Sequence, residues 1–186
     1  MKKILFILVL MISACSWRSP NSKFYMMDSA GLSELSAKKM NIAVARVKVP
    51  DLLNRAQIVV YDKNSEQVEI LEFNRWGEVL PDVLQATIVD DLIAYLPNTY
   101  VKRTYFDSSN MDYNINVEIN NIKAYKSDKV LMSVWWNVAN SAGKVLKRGQ
   151  KTYEVKAKGD SLADLITAQN EAVHLLSKDI AIDLTK

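Results

Sequence analysis

Alternation of apolar and polar positions marks three consecutive strands in the second half of the chain. Tyr113, Ile115, Val117 and Ile119 alternate with Asn114, Asn116, Glu118 and Asn120. That period of two places one row against a core and the other in water. The phase shifts after Asn120-Asn121 to Ile122 and Ala124, which predicts a bulge. Val130, Met132, Val134, Trp136 and Val138 form the core face of the next strand. Ser141-Ala142-Gly143-Lys144 is a turn, and Tyr153, Val155 and Ala157 then alternate with Thr152, Glu154 and Lys156. Short links between three consecutive strands predict an antiparallel meander.

The first half carries the same period less cleanly. Asn41–Val49 reads as a strand with Ala43, Ala45, Val47 and Val49 on one face and Arg46 and Lys48 on the other. Ile42 and Val44 break that polarity, so the start of the strand is expected to be covered on both sides. Pro50 ends it. Gln57–Tyr61 and Gln67–Phe73 flank the turn cluster Asp62-Lys63-Asn64-Ser65 and form a hairpin. Tyr100–Phe106 is a further short strand, and residues 28–40 fit a loop and a ragged helix equally.

Two segments have the helical period instead. Leu80, Leu84, Ile88, Leu92 and Leu96 recur every four residues after Pro81, a residue suited to a first helical turn. Asp82, Asp90 and Asp91 fall off that stripe. Ser161-Leu162-Ala163-Asp164 is a capping-box analogue, and Leu162, Leu165, Ile166, Gln169, Ala172, Val173, Leu176 and Ile180 continue as a stripe to about residue 183. The predicted fold is α+β: a mostly antiparallel mixed sheet with two amphipathic helices packed on one face.

The N-terminus follows neither pattern. Met1-Lys2-Lys3 is positive, and Ile4–Ile12 is an unbroken apolar run too short to cross a hydrocarbon core of ~30 Å. With the small residues Ser13 and Ala14, residues 1–14 read as a signal peptide. The only cysteine, Cys15, follows at once, and this arrangement resembles a bacterial lipobox, in which the thiol becomes lipidated. Ser16, rather than Asp, follows Cys15, which by resemblance to the usual sorting rule favours the outer membrane. Residues 15–23 are then a lipidated Cys and short polar tether, and residues 24–186 a single domain opened by Phe24-Tyr25-Met26-Met27.

Composition narrows the chemistry. One Cys and one His exclude a disulfide framework, a Cys-based zinc site and an H-E-x-x-H site, and no glycine spacing makes a phosphate loop. The net charge of +3 falls to +1 when Lys2 and Lys3 leave with the signal, so no charge argument for nucleic acid survives. His174 has Lys178 rather than a ligand at i+4 and reads as structural. Asp90 and Asp91 point about 100° apart on their helix and read as a solvated face. No cofactor is expected beyond the covalent lipid on Cys15, and no catalytic or metal site. In the strand Trp135-Trp136 the two rings face opposite ways. Trp136 belongs with the core, and Trp135 is covered by residues 16–40, covered by a partner, or exposed as an interaction hot spot.

The stretch Val49-Pro50-Asp51-Leu52-Leu53-Asn54-Arg55-Ala56-Gln57-Ile58-Val59 resembles the V-x-x-P-x-x-L-D-R-x-Q-I-V pattern of the ABC-type transport auxiliary lipoproteins, the paraquat-inducible protein C family. Glu72-Phe73-Asn74-Arg75-Trp76-Gly77-Glu78-Val79-Leu80 resembles that family's E-x-x-R-W-A-E-P-L, and Phe24-Tyr25-Met26-Met27 its F/Y-Y-x-L start. Asn54 replaces the usual Asp of an Asp–Arg pairing, and Gly77 and Val79 replace Ala and Pro. In physical terms Pro50, Arg55, Gln57, Arg75, Trp76 and Glu78 suit scaffolding: the two arginines flank the hairpin within reach of Glu72, Glu78 or backbone carbonyls, and Trp76 packs the hairpin exit on the helix. Arg75-Trp76 as a docking patch is the functional alternative. The resemblance implies a non-catalytic accessory of an MCE-domain and ABC permease system moving lipids or other hydrophobic molecules across the envelope. A ring of identical subunits is compatible with that role. The competing expectations are an activator of a cell-wall synthase, against which the short tether argues, and an envelope hydrolase.

Overall fold

The computed structural model describes residues 20–31, 35, 38–65, 67–104 and 110–186. The signal peptide, Cys15, Ser16 and most of the tether lie outside the described residues, as do Tyr105 and Phe106. Among the described residues eight strands and two helices follow one another: β1 (Lys23–Tyr25), β2 (Asn41–Ala45), β3 (Gln57–Tyr61), β4 (Val68–Trp76), α1 (Leu80–Tyr95), β5 (Tyr100–Thr104), β6 (Tyr113–Ala124), β7 (Lys129–Asn140), β8 (Val145–Lys156) and α2 (Leu162–Thr185). They form a three-stranded sheet in the order β1-β4-β3 and a five-stranded sheet in the order β5-β2-β6-β7-β8.

The meander is present as β6-β7-β8, antiparallel throughout, with its bulge between Ile119 and Asn121. Its apolar row is buried: Ile115, Val117, Ile119, Val130, Met132, Val134 and Tyr153. The hairpin is β3–β4. β1–β4, β2–β5 and β2–β6 pair in parallel, so non-local pairings finish both sheets. The sheets meet where Tyr61 bridges Tyr125, with ring centroids 5.9 Å apart and the Lys126 amide donating to the Tyr61 carbonyl at 3.0 Å.

The strand expected over Asn41–Val49 stops at Ala45, and its start is covered on both faces as expected, with Ile42, Ala43 and Val44 all buried. Ile42 and Val44 join the core, while Ala43 and Ala45 line a depression on the opposite face. The strand breaks after Ala45, shifting parity by one, so that Val47 regains the core and Lys48 makes a single bridge to Glu118.

Both helices lie against one face of the five-stranded sheet, α1 on β2 and β5, α2 on β7 and β8. α1 begins without a side-chain cap. Gln85, fully buried, sends its amide to the Val44 carbonyl at 2.9 Å and the Thr104 carbonyl at 3.2 Å, tying α1 to two strand ends. α2 has the complete capping box of Ser161 and Asp164. Its seat on the sheet is polar at the rim. Asp179 accepts from Lys151 Nζ and from the Tyr153 hydroxyl, both at 2.7 Å, and Asp183 accepts from Trp136 Nε1 at 3.0 Å. Trp136 lies over its cross-strand partner Gly149, where an added Cβ would come within 1.9 Å of the ring.

Burial would raise the Asp179 carboxyl, but the hydrogen bonds from Lys151 and Tyr153 and the Lys151 charge outweigh it and hold the group below its ordinary range. Burial, reinforced by Asp179, pushes the Tyr153 hydroxyl far upward, so it remains a donor. A carboxyl lowered in the folded state adds stability above its unfolded value of about 3.9 and loses it as pH falls through the folded value. Wild-type protein is therefore expected to lose stability below about pH 4, and Asp179→Asn to be less stable at neutral pH with a shallower acid limb in pH-dependent urea denaturation. Gly149→Ala is expected to cost about 1–3 kcal/mol by overpacking. An unchanged Tm in that variant would show that the ring does not need the space.

Candidate functional site

The family-like segments, separated by tens of residues in sequence, converge on one corner where β4 turns into α1. Tyr25 pairs with Trp76, and the Gly77 amide donates to the Tyr25 carbonyl at 2.9 Å. The Trp76 amide donates to the Ala56 carbonyl at 2.7 Å, and the Leu80 amide to the Arg55 carbonyl at 3.1 Å. The last bond supplies a partner for an amide in the first turn of α1, whose early N–H groups have none within the helix. Pro50 opens the short 3-10 turn Asp51–Leu53 that aims this segment, its carbonyl accepting from the Leu53 amide at 2.8 Å.

The side chains divide between scaffold and surface. Trp76 is buried in the core, which removes it from any docking patch. Arg75 Nε donates to the Glu72 carbonyl at 2.9 Å, and its Nη2 lies 3.9 Å from Glu72 Oε2, one of the pairings expected. Gln57 reaches the same carboxylate at 3.5 Å. Arg55 differs from expectation: among the described residues its side chain pairs with neither Glu72 nor Glu78, and its buried Nε has no partner. Glu78 is exposed. Pro50, Arg55, Gln57, Arg75 and Trp76 thus form one structural joint, built largely through backbone bonds.

The middle of the open face of the five-stranded sheet is polar around Trp135, with Leu131 toward one end and Ala43, Ala45, Ala139 and Val145 toward the other. Cross-strand register gives it rows: Asn116, Asn137 and Arg148; then Lys48, Glu118, Trp135 and Gln150; then Asn121, Ser133 and Thr152. Amide and hydroxyl contacts knit the rows, Asn116 Nδ2 to Asn137 Oδ1 at 3.2 Å and Ser133 to Thr152 at 2.9 Å. Antiparallel sheets commonly leave such a face in water. Trp135 stands in its middle, 48% exposed, while Trp136 beneath is 8% exposed. No described residue of the 20–40 segment covers it. A depression of about 590 Å³ runs beside Trp135 between Arg46, Lys48, Glu118 and Arg148. A second of about 680 Å³ shares Arg46, Lys48 and Glu118 and continues to Pro50 and Asn54. The groove exists because β2 is much shorter than β6 and leaves it uncovered beyond Ala45.

One polar centre departs from the sequence reading. Asp91, expected on a solvated face, is fully buried between the helices, whereas its neighbour Asp90 is exposed. Its Oδ2 lies 2.9 Å from His174 Nδ1 on α2, and its Oδ1 accepts from the Ala30 amide at 2.6 Å. His174 is structural, as expected, and the pair clasps α1, α2 and the segment after β1. No group of three or more metal-ligating side chains occurs among the described residues. Asp91→Ala, which orphans the Ala30 amide and the imidazole, is expected to cost about 1–3 kcal/mol. Asp91→Asn is expected to cost less, and a double-mutant cycle with His174→Ala in urea denaturation measures the coupling.

Comparison with known proteins places this architecture. The chain matches the family model of the ABC-type transport auxiliary lipoprotein component over residues 26–181. The crystal structure of an uncharacterized protein has a similar fold, with TM-score 0.73, 20% identity and coverage of 89% of this chain and 99% of that one. Protein XCC0632 from Xanthomonas campestris is similar at TM-score 0.69 and 12% identity, over 86% of this chain and 92% of its own. At these identities the two structures speak for the fold alone. No curated protein matches the sequence. The matched span takes in all three segments of the β4–α1 corner except Phe24 and Tyr25, and the chain belongs to the family of ABC-type transport auxiliary lipoprotein components.

Proposed function

We propose that this protein is a non-catalytic accessory of an MCE-domain and ABC permease system that moves lipids or other hydrophobic molecules across the cell envelope. Lipid on Cys15 holds it at the inner leaflet of the outer membrane. The folded part then docks the periplasmic end of the MCE-domain assembly through the open sheet face around Trp135. Family membership supports the transport role. The observation that carries the docking mode is the half-exposed Trp135, an exposed aromatic beside a groove lined mainly by charged and amide side chains. Buried aromatic anchors of this kind carry much of the energy in protein interfaces.

An affinity-tagged full chain, solubilised from envelope membranes, is expected to recover MCE-domain and permease proteins, and Trp135→Ala to recover about tenfold less, as for loss of a single hot spot. A wild-type eluate with neither component, checked by mass spectrometry, overturns the reading. Cys15→Ser is expected to abolish palmitate labelling and release the protein from the membrane fraction.

A further inference from the structure

A second exposed patch lies on the other sheet, where the chain enters the fold. Phe24 is 66% exposed, Met26 54% and Phe73 41%. Phe24 sits opposite Arg75 in the parallel β1–β4 pairing, and the exposed Phe73 precedes Arg75 by two residues, at the register irregularity of β4 between Leu71 and Arg75. Met26, two residues after Phe24, lies against Gly77, two residues after Arg75; a Cβ at Gly77 would meet Met26 Sδ at 2.3 Å. Phe24, Met26 and Arg75 therefore form one row across an edge strand and its neighbour, and the exposed Phe73 adjoins it in sequence.

We infer that this row is a membrane-contact surface that lays the β1–β4 edge of the domain on the lipid bilayer holding the anchor. The inference rests on lipidation of Cys15 and adds an orientation to it. Tether length is the first support. From Cys15 to Lys23 the chain spans at most about 29 Å at ~3.6 Å per residue, and it leads straight into β1. The patch, at the point where the tether enters the fold, therefore lies within that reach of the lipid. Chemistry is the second support. Large apolar side chains together with a cation are the composition that settles at the boundary between headgroups and acyl chains. Arg75 is the row's one charge, and its partner Glu72 leaves its guanidinium partly exposed. The Trp135 face has the opposite character, one aromatic among amides and charges, and shares no residue with this row.

Because the sequence holds a single cysteine, taken up by the lipid, an introduced cysteine labels one site. The full lipidated chain carrying Met26→Cys or, as control, Leu146→Cys on β8 is labelled with an environment-sensitive fluorophore. It is then reconstituted in phosphatidylethanolamine–phosphatidylglycerol vesicles containing brominated lipid. Strong quenching at position 26 and little at position 146 is expected, with quenching at 26 at least halved by Phe24→Asp together with Phe73→Asp at unchanged Tm. Flotation without quenching at 26 overturns the membrane contact and leaves the anchor standing. Failure to float overturns both. Protection of position 26 that depends on protein concentration, without lipid quenching, overturns the contact in favour of a second copy of the chain.

Discussion

Everything in this fold depends on the corner where β4 becomes α1. Trp76 is buried there, and its position is set by three backbone bonds to two remote segments: Tyr25 receiving Gly77, and the adjacent Ala56 and Arg55 serving Trp76 and Leu80. Buried amides without partners cost about 1–3 kcal/mol each, so the segments must close together. The corner thereby fixes the entry of β1, the register of the hairpin and the first turn of the helix that covers the larger sheet. Two of the three departures from the usual family pattern are absorbed locally. Val79 precedes a helix whose N2 residue is still Pro81, and Gly77 makes room for Met26.

Legibility of the sequence followed the range of the forces involved. The β6–β8 meander and both helices were readable, because residues a few positions apart decide which side of a strand or helix is buried. The bulge at Asn120-Asn121 was readable for the same reason. The cover on both faces at the start of β2 was legible, but its end was misread, because the break after Ala45 is set by neighbours far away in sequence. The parallel pairing of β1 with β4 was invisible, since three residues hold no periodic signal. Asp91 was misread because its burial comes from α2 and from the segment at Ala30, not from its own helix. The structural role of the motif residues was legible in kind. The means differed: a side-chain reading foresaw pairing by Arg55, whereas its carbonyl performs the structural work.

The two faces of the larger sheet divide the labour. One receives both helices and holds the apolar core, with Asp179 and Asp183 of α2 accepting hydrogen bonds from Lys151, Tyr153 and Trp136 at the rim. Those bonds fix the orientation of Trp136, and Gly149 provides the space for its ring. The opposite face is left free of structural duty. A single half-exposed tryptophan stands in the middle of it.

The way the chain is fastened at its N-terminal side suits a domain held from that side. β1 is bonded laterally to β4, so a pull along β1 loads several hydrogen bonds together rather than peeling them singly. Just beyond β1 the Gly77 amide grips the Tyr25 carbonyl, and a few residues later the Ala30 amide is gripped by the buried Asp91 carboxylate. Asp91 is itself braced by His174 on the last helix. Force arriving through a tether therefore passes from the edge strand into the Trp76 corner and across both helices, so the first and last elements share the load. A terminal strand of only three residues would fray if it depended on its own ladder; here the second grip at Asp91 makes it part of the core's cooperative unit.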